Sequence, residues 1–209
     1  MKESIPSEES NMEERILAEA EKLFFEKGFA ATSTTEIARQ AGCNQTLVHY
    51  YFRTKENLFT KVLGGKVKRF FNEFLSVNAG EGDFETKLAR VIGSHFDIIR
   101  QNSHMTLFLI TEFTRDPQRL EELKQELGEL PSRLFGSLEE DLSREIAAGR
   151  IRKIEFIDLL INIISLNAFL FVVKPLYMQV CQQDDRQMQQ LFDHRKEEII
   201  RTILSSLRP

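Results

Sequence analysis

Apolar residues recur along this chain at intervals of three and four, and no stretch sustains the alternation of a strand. Ile16, Leu17, Ala20, Leu23 and Phe24 mark one face of a first helix that starts near Ser10 or Asn11 and ends at Gly28. Ile37, Ala38 and Ala41 mark a short second helix. It opens at Ser33, three residues ahead of Glu36, so that hydroxyl and carboxylate can each take an orphan amide, and it closes at Gly42. Asn44 caps a third helix, Gln45 to about Phe52, with Val48 and either Tyr51 or Phe52 turned inward. Two short helices meeting across a tight, Gly-containing turn have the shape of a helix-turn-helix. Thr54 starts a longer helix carrying Leu58, Phe59, Val62, Phe70, Phe71, Phe74 and Leu75; Gly64 and Gly65 interrupt it, for a kink or for a close packing contact.

After a loop at Val77 to Asp83, helical period returns over Phe84 to Gln101, Ser103 to about Arg115, and a charged run from Leu120 to Ala148 that Pro131 bends or divides. Ile154 to about Val173 follows, stopped or kinked by Pro175, and a last helix spans Asp185 to Leu207. Phe156 to Val173 has the length of a membrane span, but Asp158, Asn162, Ser165 and Asn167 interrupt it, so a helix buried on most sides is expected. The fold class is all-α.

Composition narrows this further. With 17 Phe against 3 Tyr and no Trp, the core is phenylalanine-rich. Cys43 and Cys181 stand in no metal-ligand or disulfide pattern, so reduced thiols in a cytoplasm are expected, with no metal site and no cofactor. The opening residues carry no apolar run after a basic start, and residues 1–9 read as a disordered acidic tail. The net charge is −4, yet between Arg39 and Arg69 the positive residues are Arg39, Arg53, Lys55, Lys61, Lys66, Lys68 and Arg69, with Glu56 the one acid. A cationic stripe on an acidic chain is the footprint of a DNA-binding element.

About seven residues of helix, roughly 10 Å, fit the major groove, and here they are Gln45 to Tyr51. Gln45 can pair with adenine and Leu47 can touch a thymine methyl, while Thr46, His49 and Tyr50 can donate to phosphates. Lys55 at the next helix start adds its charge to a terminus that already attracts phosphate.

F-F-E-K-G-F, then T-S-T-T-E-I-A-R-Q-A-G, then C-N-Q-T-L-V-H-Y-Y-F-R-T-K-E-N-L-F resembles the N-terminal DNA-binding domain of the TetR family of transcriptional regulators, over about Ser10 to Phe70. The resemblance implies a three-helix DNA-binding domain over residues 10–70 and a larger helical ligand-binding and dimerisation domain over 71–209. It implies a homodimer joined through the last two long helices, usually a repressor, on a palindromic double-stranded operator. By position it implies DNA contacts from the helix-turn-helix Ser33 to Phe52: Ser33, Thr34, Gln45, Thr46, Leu47, Tyr50 and Lys55, with His49 where the family commonly has a phosphate-binding tyrosine. Cys43 and Asn44 replace the commoner Val and Ser.

The C-terminal half carries no transferable motif. Polar groups stranded in its apolar runs, His95, His104, Glu112, Asn162 and Asn167, are candidates to line a cavity for a small effector, with Phe108 and Phe169 as walls and an apolar effector favoured. Two other classes compete: a DNA-binding protein without a ligand, and a helical carrier or enzyme with a vestigial helix-turn-helix. No nucleophile–base pair, metal spacing or phosphate loop supports an enzyme, and no membrane partner is expected.

Overall fold

The computed structural model describes residues 8–78, 82–182 and 184–209, except the side chains of residues 8–10, 77, 78, 104 and 134. The described residues form ten helices: α1 (Glu8–Ala31), α2 (Thr34–Ala41), α3 (Gln45–Phe52), α4 (Lys55–Asn78), α5 (Phe84–Gln101), α6 (Ser103–Arg115), α7 (Gln118–Leu127), α8 (Leu130–Ala147), α9 (Phe156–Cys181) and α10 (Asp185–Ser206). They divide into two compact units. The first takes the chain to Arg69 together with Phe108–Gly128, and the second takes Phe70–Leu107 with Glu129–Pro209.

In the first unit α1 turns the predicted face inward: Ile16, Ala20, Leu23 and Phe24 are buried, and Phe24 stands edge-on to Phe59 of α4 at 5.1 Å between centroids. Gly28 leaves helical geometry at φ 82°, a conformation without penalty only for glycine. Thr32 secures the exit, its hydroxyl donating to the carbonyls of Leu23 and Gly28. Gly64 and Gly65 introduce no break in α4; a methyl on Gly64 would overlap the Glu126 side chain of α7, so the close-contact reading applies there.

The second unit is built on α5, whose Phe84, Leu88, Ile92, Phe96 and Ile99 recur every three or four positions and pack against α9 and α10. Phe171 of α9 stacks on Phe192 of α10 at 4.7 Å and lies 5.1 Å from Phe96. Arg100–Asp193 and Lys196–Asp97 ion pairs fasten α5 to α10 at 2.6 and 2.5 Å.

Several helix limits depart from expectation: α1 begins at Glu8, inside the tail expected over residues 1–9, of which residues 1–7 lie outside the described residues, and α4 runs to Asn78, into the loop expected from Val77 to Asp83. The division of the charged run falls at Gly128 (φ 57°), and Pro131 instead sits in the first turn of α8, where it has no intrahelical bond to lose. Pro175 does not stop α9, which continues to Cys181. Nor is α9 buried on most sides within this chain. It buries one stripe, Leu159, Ile163, Asn167 and Phe171, and exposes Ile157, Ile161, Ile164, Phe169, Leu176 and Val180. Among the described residues it is the helix long and apolar enough to cross a membrane, with 28% of its apolar window buried.

Candidate functional site

The first candidate surface is the α2–α3 pair. Each helix is only eight residues long and depends on its caps and on packing, α2 against α1 and α3 against α2. The Glu36 amide donates to Ser33 Oγ at 3.1 Å, whereas the Glu36 carboxylate takes Lys27 Nζ at 2.6 Å, so the serine half of the expected capping box is formed. Gly42 closes α2 at φ 70°, letting the Cys43 amide donate to Ala38 O at 2.9 Å while Arg15 of α1 donates to Ala41 O. Asn44 Oδ1 accepts from the Leu47 amide at 2.9 Å and opens α3.

Val48 and Phe52 are the inward residues of α3, Tyr51 and Leu47 are half-buried, and Gln45, Thr46, His49 and Tyr50 are exposed. Two of the exposed polar groups, Gln45 and His49, are already ordered. Gln45 donates from Nε2 to Thr34 Oγ1 and accepts at Oε1 from Thr35, both at 3.0 Å. Its second amide hydrogen points at His49 Nε2, 3.3 Å away, and His49 Nδ1 lies 3.0 Å from Arg53 O. A carbonyl can only accept, so the proton sits on Nδ1 and Nε2 accepts from Gln45. Both ring nitrogens are therefore engaged, and in this arrangement His49 does not offer the phosphate donor expected of it. Thr35, overlooked in the sequence, completes the network.

Lys55, first residue of α4, holds its ammonium 4.2 Å from the Phe29 ring centroid. Burial lowers its pKa, Glu56 opposes that, Arg119 adds to it and Glu112 opposes it again. Arg119 covers the same ring at 3.9 Å and pairs with Glu112, 3% exposed. The cationic stripe is thinner than the sequence suggests. Lys66 and Arg69 pair with Glu21, and Lys68 with Glu126, leaving Arg39, Arg53 and Lys61 exposed and without an ion pair among the described residues.

The second candidate is a cavity of about 520 Å³ inside the second unit. Phe70, Phe71, Phe74 and Leu75 of α4 form one wall, Val91 and His95 of α5 another, with Phe135 and Leu138 of α8 and Leu160, Ile163 and Ile164 of α9 closing the rest. Lys87, Arg133, Ser137 and Asp141 bring polar groups to the lining; Lys87 meets Asp141 at 3.3 Å, and Arg133 has no ion pair among the described residues. His95 lies 2.9 Å from Asn167 and edge-on to Phe70, and burial lowers its pKa to about 4.

Of the seven cavity residues expected from the sequence, His95 lines this space and Asn167, fully buried, holds it from behind. Phe108 and Glu112 belong to the first unit, where Phe108 packs on Phe25 at 4.8 Å and Glu112 serves Arg119. Asn162 and Phe169 face outward from α9, the latter 67% exposed, because the inward stripe runs through Ile163 and Asn167. The side chain of His104 lies outside the described residues. The phenylalanines of α4 were the missed signal, at i, i+1 and i+4.

Two family models match the chain: "Bacterial regulatory proteins, tetR family" over residues 16–62 and "Tetracyclin repressor-like, C-terminal domain" over residues 85–203, more than half its length. The fatty acid metabolism regulator protein of Bacillus subtilis is 24% identical over 139 residues, 66% of this chain and 70% of that protein. The regulator QacR of Staphylococcus aureus is 40% identical over 53 residues, 25% of this chain and 28% of QacR. The crystal structure of FadR from Bacillus subtilis in complex with stearoyl-CoA superposes with a TM-score of 0.65 at 18% identity, covering 94% of this chain and all of FadR. The fatty acid degradation regulator FadR from Bacillus halodurans gives 0.62 at 19% identity, over 95% and 97% of the two chains.

Proposed function

The chain belongs to the TetR family of bacterial regulatory proteins, a ligand-responsive, DNA-binding transcriptional regulator rather than an enzyme, and we propose that it is a cytoplasmic repressor acting as a homodimer on a near-palindromic operator. The observation that carries this reading is α3, which presents Gln45, Thr46, His49 and Tyr50 on one exposed face behind two side-chain caps. Residues 10–70 are the DNA-binding domain, with Ser33, Thr34, Gln45, Thr46, Leu47, His49, Tyr50 and Lys55 toward the duplex. Residues 71–209 bind effector and partner. The exposed apolar stripe of α9 supports a second copy packing there with α10, which sets half-sites about 34–36 Å apart or a multiple of that.

The effector proposed is a long-chain acyl thioester. A phenylalanine-lined cavity suits an alkyl chain, and Arg133 with Lys87 suits a phosphate-bearing head group; a relative of this fold was solved with stearoyl-CoA. The cavity also favours this reading over a DNA-binding protein without a ligand. Effector would release DNA by favouring a domain spacing that no longer fits successive grooves, which requires unequal affinity for the two states.

The test is selection of bound genomic fragments by the purified chain, followed by mobility shift with competitor DNA at moderate salt. A palindromic consensus whose complex is dissolved by hexadecanoyl-CoA is expected. Binding that vanishes with competitor would end the reading, and a complex indifferent to acyl-CoA would end its effector half.

A further inference from the structure

His95 is a neutral hydrogen-bond donor in a cavity that is otherwise mostly hydrocarbon. The Asn167 amide nitrogen lies 3.0 Å from Ile92 O and 2.9 Å from His95 Nδ1. The Ile92 carbonyl can only accept, so the NH2 end of the amide must face it, and the other hydrogen of that NH2 goes to His95. Turning the amide over would set Oδ1 against the Ile92 carbonyl oxygen. In the orientation adopted, Asn167 Oδ1 is buried without a hydrogen-bond partner, which the two NH2 bonds offset. Nδ1 of His95 is thus an acceptor, and the proton of the uncharged ring sits on Nε2. Burial is the one cause of the lowered His95 pKa, with no neighbouring charge contributing, so the ring is neutral at physiological pH. Nε2–H is the ring's remaining polar group, and His95 lines the cavity.

A buried donor in such surroundings selects its acceptor. A carboxylate placed there would lose its hydration and meet an uncharged imidazole, a poor exchange, whereas a carbonyl oxygen gives up little and satisfies the donor. Resting on the acyl-ligand reading above, we propose that His95 Nε2–H receives the uncharged carbonyl oxygen of the acyl effector whose chain fills the phenylalanine-lined cavity. Asn167 is the positioning residue, holding the imidazole in the tautomer that presents this donor.

Two measurements on the full chain test this. Long-range 1H–15N correlation spectra of histidine-labelled protein at pH 7, with the ring assigned by its loss in His95→Phe, should show Nε2 protonated and Nδ1 bare. A ring protonated on Nδ1, or on both nitrogens, overturns the proposal whatever the ligand does. Titration calorimetry should then compare hexadecanoyl-CoA with S-hexadecyl-CoA, a thioether of the same chain and head group that lacks the carbonyl. Wild type should prefer the thioester by about fivefold, the worth of one neutral hydrogen bond, and His95→Phe should bind both equally. Equal binding of the two by wild type, or a preference that survives in His95→Phe, refutes the carbonyl assignment while leaving the acyl reading intact. Failure of both to bind wild type removes the acyl reading and the carbonyl assignment together.

Discussion

Gly64 of α4 lies against Glu126 of α7 so closely that a Cβ on the glycine would overlap the Glu126 Cγ, while a Cβ on the adjacent Gly65 would meet only Arg69 Nη1 at 3.9 Å. The two glycines of one pair therefore answer to different forces. Gly64→Ala should destabilise the chain by about 1–3 kcal/mol through overpacking, unless Glu126 swings away and gives up Lys68. Gly65→Ala should stabilise it by up to about 1 kcal/mol through helix propensity. Thermal unfolding of the two variants should move in opposite directions; matching shifts would count against the packing assignment.

Glu112 pairs with Arg119 under cover, and the guanidinium spreads over Phe29 and Phe59. Glu112→Leu leaves that cation only the more exposed Asp116, 3.3 Å from its Nε, and should cost about 3 kcal/mol, whereas the double variant Glu112→Leu/Arg119→Met should recover much of the loss. Urea unfolding of the singles and the double decides it. If the double is as unstable as the sum of the singles, the pair is not coupled.

Lys55 is the phosphate contact proposed at the start of α4. Lys55→Ala should weaken DNA binding by a similar factor on every sequence and lower the salt slope by about 1. A loss confined to one operator base in quantitative mobility shifts would show a different role.

Stability should depend on pH through His95. Its folded pKa, about 4, lies below the ordinary value near 6.5, so below 6.5 the unfolded chain binds the extra proton. The folded state carries no penalty from this ring above pH 6.5 and loses stability as pH falls toward 4, by at most about 3 kcal/mol. His95→Phe should remove that part of the acid sensitivity, so the unfolding free energy of the variant minus that of wild type should rise as pH falls from 6.5 to 4.5. A constant difference would mean that the ring titrates normally.

Ile161 and Leu176 stand on the exposed stripe of α9. Ile161→Glu with Leu176→Glu should give a monomer in sedimentation velocity at concentrations where wild type is a dimer. An unchanged dimer would place the interface elsewhere.

Short-range features could be read from the residues themselves. Ser33, Gly42 and Asn44 act on amides and carbonyls within five positions, so their chemistry fixes α2 and α3 without tertiary information. The phenylalanine wall of the cavity could have been suspected from Phe70, Phe71 and Phe74, but their period is that of any buried helix face. What lay beyond reach depends on distant partners. Lys66 and Arg69 look like free cations until Glu21, more than forty positions away, is placed beside them. Glu112 and Phe108 look like cavity residues until the chain between Phe108 and Gly128 is seen to pack in the first unit. On α9 nearly every position is apolar, so hydrophobicity does not choose an inward face; Asn167, needing a partner, marks it better than Phe169 does.

The Thr34–Gln45–His49 chain bears on how recognition would be driven. A free glutamine gives up up to about 2 kcal/mol of rotamer entropy when it is fixed, but Gln45 is already held at both ends of its amide. Reading a base would exchange bonds rather than freeze a loose side chain. The calorimetric mark of that exchange is a small entropic cost for the Gln45 contact together with a small enthalpic gain, and Thr34→Val with Thr35→Val, by loosening the amide beforehand, would enlarge both.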